Sequence, residues 1–338
     1  MKKIIFNLIV IILTAVIMFA LVFFTSGIEE LSHFLARIKY RWIAAAFGCM
    51  VVYWLTGGLI LHIITQMMFE KQRLRDSFKL NMIGHFFNSV TPFSTGGQPV
   101  QAYVMIKDGI KAGHAASILV IRSMLYSTVL FFYTLLVFIF KAQFYGQRIP
   151  HFFLLCIIGF AANIFIIAMY ALFLYNKNTA HKLISFTFGI LRKLKFIKNL
   201  DAAYKKFDAE LASFSEGAAV LRKNKLLLYD VVLLQVIQFT IFFLVPYFIY
   251  LGAGEATRVN LWDMIASQPI ITMITSYIPT PGSTGGIEGA GYLFFSLFFK
   301  PGTIIPVILI WRIITYYSNV IFGGLFAVLA PEKPLETS

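Results

Sequence analysis

Two hexapeptides in this chain carry residue types that together could hold an anion. Pro92-Phe93-Ser94-Thr95-Gly96-Gly97 and Pro281-Gly282-Ser283-Thr284-Gly285-Gly286 agree at five of six positions. Proline removes a backbone donor and ends a helix, and glycine lets a ligand approach the main chain closely. If a new helix begins after each break, Gly96, Gly97, Gly285 and Gly286 offer amide donors at its start. Ser94, Thr95, Ser283 and Thr284 add hydroxyls. Arg122 follows Gly97 by 25 residues and Arg312 follows Gly286 by 26, and each has a tyrosine four positions later, Tyr126 and Tyr316. Two guanidinium forks with such amides suit a phosphate. Glu288 falls in the first turn after the second break, where a helix N-terminus favours negative charge. It could balance charge, bind a cationic part of a headgroup or carry a proton. Blander alternatives stay open. The glycines could serve only close packing, Arg122 could snorkel to the nearer surface, and Glu288 could simply pair with an arginine.

These residues converge only if the intervening elements bring them together, and composition dictates what those elements are. Of 338 residues, 59% are hydrophobic, 13% are charged and 36 are Phe, a mixture that can form neither a soluble globular surface nor a disordered chain. The expected class is an all-α integral membrane protein. Six apolar runs are long enough to cross about 30 Å of hydrocarbon: Ile4–Phe24, Trp42–Ile64, Ser117–Phe140, Phe152–Tyr175, Leu226–Tyr250 and Ile304–Ala330. The first is too long for a signal-peptide core and is read as a span. Leu80–Ile106 and Leu261–Phe299 are each broken by a hexapeptide, leaving half-spans suited to re-entrant hairpins. Cys49 and Cys156 lie inside apolar runs and show neither disulfide nor metal spacing.

With the N-terminus inside, 20 of the 29 Lys and Arg fall on cytoplasmic segments and seven on outer ones. The remaining two are Arg122 and Arg312, within spans. This bias places both termini in the cytoplasm of a multi-pass cell-membrane protein. Eleven of the 20 lie in residues 176–225, which either lie as amphipathic helix along anionic inner-leaflet lipid or form a solvated connector. The net charge of +14 is therefore read as a preference for anionic lipid, with no nucleic acid bound directly.

In this topology the two hairpins open to opposite faces. The expectation is one polytopic membrane domain over residues 1–338, with inverted repeat units at roughly 42–140 and 226–330. Inverted repeats with broken helices meeting at the midplane are a recurring plan of secondary transporters. His85 and Asn88 are placed to line the cavity, while His62, Asp230 and Asp263 lie near segment ends. No nucleotide motif, metal-ligand spacing or nucleophile–base arrangement is evident, so no cofactor, metal or catalytic residue is expected. The oligomeric state stays open, a homo-oligomer included.

The first hexapeptide with Gln98-Pro99, the run Pro281–Glu288 and the pair Trp311-Arg312 resemble the transmembrane flippase-like domain of the lysylphosphatidylglycerol synthase family, over nearly the whole chain. In that family a cytosolic transferase lysylates phosphatidylglycerol from lysyl-tRNA. The membrane domain moves the product between leaflets, giving resistance to cationic antimicrobial peptides. The resemblance implies a standalone flippase of anionic or aminoacylated phospholipids. Arg122 and Arg312 would bind phosphate, and the substrate would be a membrane phospholipid. The chain stops eight residues beyond the last span, at Pro331–Ser338, so no transferase domain is expected. Two alternatives remain: a phosphatidylglycerol lysyltransferase, alone or with a separate catalytic subunit, and a non-transporting membrane partner acting through residues 176–225.

Overall fold

A computed structural model describes residues 27–175, 213–220, 223–254 and 259–329. The expected first span Ile4–Phe24 and most of the basic segment 176–225 lie outside the described residues. The described chain is helical throughout, with no strand among the described residues. The helices are α1 (Gly27–Arg37), α2 (Tyr40–Gln66), α3 (Leu74–Val90), α4 (Gly97–Lys107), α5 (Ala112–Gly146), α6 (Phe152–Tyr175), α7 (Lys225–Phe243), α8 (Val245–Ala253), α9 (Leu261–Thr275), α10 (Gly286–Phe295), α11 (Pro301–Arg312) and α12 (Ser318–Val328).

Among the described residues, five helical stretches are long and apolar enough to cross a membrane: Tyr40–Gln66, Ala112–Gly146, Phe152–Leu174, Leu226–Ala253 and Pro301–Val328. These are the five expected spans other than the first, with ends shifted by up to six residues. The fourth joins α7 and α8 through Leu244, with Pro246 in the first turn of α8, where a missing N–H costs least. The fifth joins α11 and α12 through a π-helical turn, Ile313–Tyr317. Phe132, Phe140, Ile157 and Phe165 are exposed, as apolar side chains facing lipid should be. The protein is an all-α integral membrane protein.

The two broken stretches fold as helix–turn–helix hairpins. At 1.5 Å per residue, α4 and α10 reach only about 16 and 15 Å, half of a bilayer core. The two turns share a backbone. Thr91 and Thr280, each preceding a proline, are extended, at φ −116°, ψ 146° and φ −119°, ψ 152°. Phe93 and Gly282 are left-handed at φ 55° and 56°, and Ser94 and Ser283 follow at φ 52° and 54°. The hexapeptides diverge after that, since Thr95 is helical and Thr284 is not.

The hairpins enter from opposite ends of α5. Ser117, in its second turn, donates to the Met68 sulfur just before the first hairpin (3.6 Å). Near its other end Lys141 pairs with Asp263, and the Tyr145 hydroxyl donates to the Asp263 carbonyl, at the start of the second hairpin. Ser117 and Lys141 are about 36 Å apart along the helix. The two turns pack against each other, and the second also packs on α3.

Candidate functional site

At the meeting of the tips lies Arg312, the last residue of α11 and only 2% exposed. Its Nε is 2.9 Å from Glu288 Oε1, in an ion pair whose angle departs from a straight hydrogen bond. Its Nη2 donates to the Gly282 carbonyl (3.2 Å) and to Thr284 Oγ1 (3.3 Å), and its guanidinium lies 4.1 Å from the centre of the Tyr316 ring. The second carboxylate oxygen, Glu288 Oε2, accepts from the Gly285 amide (2.6 Å) at the start of α10. Thr284 Oγ1 donates to the Pro281 carbonyl (2.7 Å), and Thr280 Oγ1 donates to the Thr284 carbonyl (2.8 Å). A charge that hydrocarbon would reject is thus satisfied by one acid, one carbonyl, one hydroxyl and one ring face.

Tyr316 carries this cluster across to the other hairpin. Its hydroxyl donates to the Ser89 carbonyl in the last turn of α3 (3.2 Å). The ring lies over the second turn so closely that a Cβ at Gly282 would sit 2.0 Å from it. This explains the single mismatch between the hexapeptides. Glycine is required where Tyr316 covers the turn, whereas the equivalent Phe93 is exposed. The equivalent tyrosine, Tyr126, instead meets Phe239, with ring centres 4.9 Å apart.

Arg122 belongs to a second cluster. Its Nη2 donates to Asn81 Oδ1 on α3, so it turns inward onto a neighbouring helix. The side chain is half-buried, and its charge acts on Tyr53 and His85. The rings of Tyr53 and His85 are 5.5 Å apart. Asn81 Nδ2 donates to the Trp54 carbonyl (3.2 Å), Gln238 Nε2 donates to the Tyr53 carbonyl (2.9 Å), and Gln235 Nε2 donates to Gln238 Oε1 (2.7 Å). Gln98 Nε2, at the first tip, donates to Ser123 Oγ beside the arginine (2.7 Å).

Among the expected site residues, Arg312, Glu288, Tyr316, Thr284 and Gly285 come together, joined by Gly282, which was not expected, and Ser283 is buried in the same turn. Arg122 keeps separate partners. The expected free amides are a point of correction. Gly96 N donates to Thr91 Oγ1 (2.8 Å), Gly97 N to Asn88 Oδ1 (2.8 Å) and Gly285 N to Glu288, so these donors are consumed within the fold. Thr95 Oγ1 donates back to the Pro92 carbonyl (3.1 Å), and Ser94 is exposed on the first tip. Gly286 opens α10, where a Cβ would meet Ile278.

Asn81, Tyr53 and Ser89 were not anticipated. The first had a legible signal, since Asn81, His85 and Asn88 recur at helical spacing and mark one polar stripe on α3. Tyr53 and Ser89 carried none, because a tyrosine in an aromatic-rich span and a backbone carbonyl acceptor have no distinguishing pattern.

Comparison with known proteins agrees with this architecture. A protein of Archaeoglobus fulgidus named UPF0104 membrane protein is 26% identical over 325 residues, covering 93% of this chain and 94% of that one. No solved structure matches. The family described as the lysylphosphatidylglycerol synthase TM region matches residues 6–323. The chain belongs to the lysylphosphatidylglycerol synthase transmembrane-region family.

Proposed function

We propose that this protein moves a lipid between the leaflets of the cell membrane. The headgroup would cross through polar space at the hairpin tips while the acyl chains stay in the bilayer. One observation carries the reading: two broken hairpins entering from opposite ends of α5 meet tip to tip, with a buried ion pair, Arg312–Glu288, at the contact. Irregular backbone and charge at membrane depth are tolerated where they line a path for something polar. A family match to the transmembrane region of a lipid-modifying synthase supports a lipid-related role. The substrate class consistent with both is an anionic or aminoacylated phospholipid. In the orientation favoured by the Lys and Arg bias, both termini are cytoplasmic.

Arg312 acts here as a clasp. It holds the second turn closed, and through Tyr316 it holds that turn to α3. Opening would require Glu288 or the ring of Tyr316 to let go, and the π turn at Ile313–Tyr317 would be the point at which α12 swings from α11. The test is movement of a fluorescent phospholipid across proteoliposomes containing Arg312→Ala. A rate at least tenfold below wild type is expected. A normal rate from a folded variant overturns the role of the clasp.

A further inference from the structure

The two arginines stand at matching distances behind matching turns but in unequal electrostatic surroundings. Arg312 is neutralised by Glu288, and both oxygens of that acid are engaged, one by Arg312 and the other by the Gly285 amide. Arg122 has no carboxylate within salt-bridge distance among the described residues. Its neighbours are an amide, an imidazole and a phenol: Asn81, His85 and Tyr53. His85 Nε2 is buried without a hydrogen-bond partner. Among the described residues Arg122 therefore carries a positive charge that no carboxylate compensates, on a side chain that is only half-buried. A partly desolvated cation of this kind favours an anion beside it. A guanidinium with unspent N–H groups suits a phosphodiester oxygen pair. Among the described residues no free carboxylate stands beside Arg122 to pair with an ammonium, because Glu288 is already engaged by Arg312 and the Gly285 amide.

We infer that Arg122, with Tyr53, Asn81 and His85, receives the phosphodiester of a lipid headgroup of net charge −1, and that a headgroup carrying its own ammonium is disfavoured. This narrows the lipid-translocation reading, on which it rests, to unmodified anionic phospholipids. It also divides the labour between the arginines: Arg122 binds and Arg312 clasps.

The test is native mass spectrometry of the full chain in neutral detergent, titrated with phosphatidylglycerol, phosphatidylethanolamine, lysylphosphatidylglycerol or inorganic phosphate. Phosphatidylglycerol is expected to bind at least tenfold more tightly than either ammonium-bearing lipid. Arg122→Gln should weaken that binding at least tenfold more than Arg312→Gln does. Asn81→Asp, nearly isosteric, gives Arg122 the counter-charge that Glu288 gives Arg312 and should abolish the preference. A thermal melt confirms that each variant is folded. Equal affinity for all three lipids, binding indifferent to both Arg122→Gln and Asn81→Asp, or binding of inorganic phosphate but not phosphatidylglycerol overturns the inference. Lipid movement in proteoliposomes is measured alongside. Arg122-dependent binding without movement defeats the transport reading and leaves the receptor standing, whereas movement that survives Arg122→Gln defeats the receptor alone.

Discussion

Glycine at 282 and glycine at 286 are both crowded, but for different reasons. Gly282 has φ 56°, and its Cβ would sit 2.0 Å from the Tyr316 ring, which the cluster with Arg312 holds in place. Gly286 has ordinary helical backbone, and its Cβ would meet the tip of Ile278, a flexible side chain that can rotate away. Gly282→Ala should therefore cost about 1–3 kcal/mol and lower the melting temperature in detergent. Gly286→Ala should cost clearly less. Equal losses in thermal unfolding would mean that Tyr316 does not cover the turn. At this scale the sequence was half legible. The paired arginines and the acid after the second break stood out as charges in apolar runs. Their partners did not, because which acceptor a guanidinium reaches, Asn81 in the case of Arg122, is decided by helix register between residues 41 positions apart. Likewise, no spacing rule announces that Thr91 and Asn88 will occupy the amides of Gly96 and Gly97.

At the level of elements, length and proline placement did most of the specifying. Phe152–Tyr175 was legible to the residue, and Trp42–Ile64 lies inside Tyr40–Gln66, because uninterrupted apolar runs of that size have one solution in lipid. The prolines at 92 and 281 set the breaks, since each forces the preceding threonine out of helical geometry. The π turn after Arg312 was not legible, since Ile313–Tyr317 reads as ordinary helix and the extra residue answers to tertiary packing. The second hairpin is anchored at its open end by Lys141–Asp263, a partly buried pair at 28% and 17% exposure. Single alanine substitutions at these positions should be less than additive. A double-mutant cycle on thermal stability should return a coupling of about 1 kcal/mol. A coupling near zero would leave the hairpin mouth held by Tyr145 alone.

Taken as a whole, the molecule places the mouths of its two hairpins at opposite ends of one long helix, and this arrangement can be tested without reference to transport. In a background lacking Cys49 and Cys156, Lys71→Cys and Lys300→Cys put single thiols beside the first and second mouths. A membrane-impermeant maleimide should label them from opposite faces, Lys71→Cys from the cytoplasmic side in the proposed orientation. Labelling of both from one face would rule out the inverted arrangement. Mouths at opposite ends of one long helix were foreseeable from hydropathy and Lys/Arg bias combined. The head-on contact of the tips was not, because nothing in a linear sequence reports how deep two opposed loops reach.

The mismatch of Phe93 with Gly282 has a further consequence. Because only one turn can accommodate a tyrosine lid, the protein is not interchangeable top for bottom, however alike its halves look in outline. If the protein moves lipid as proposed, vesicles that take it up in both senses would hold two kinetically distinct populations, and an averaged rate from such a preparation would describe neither.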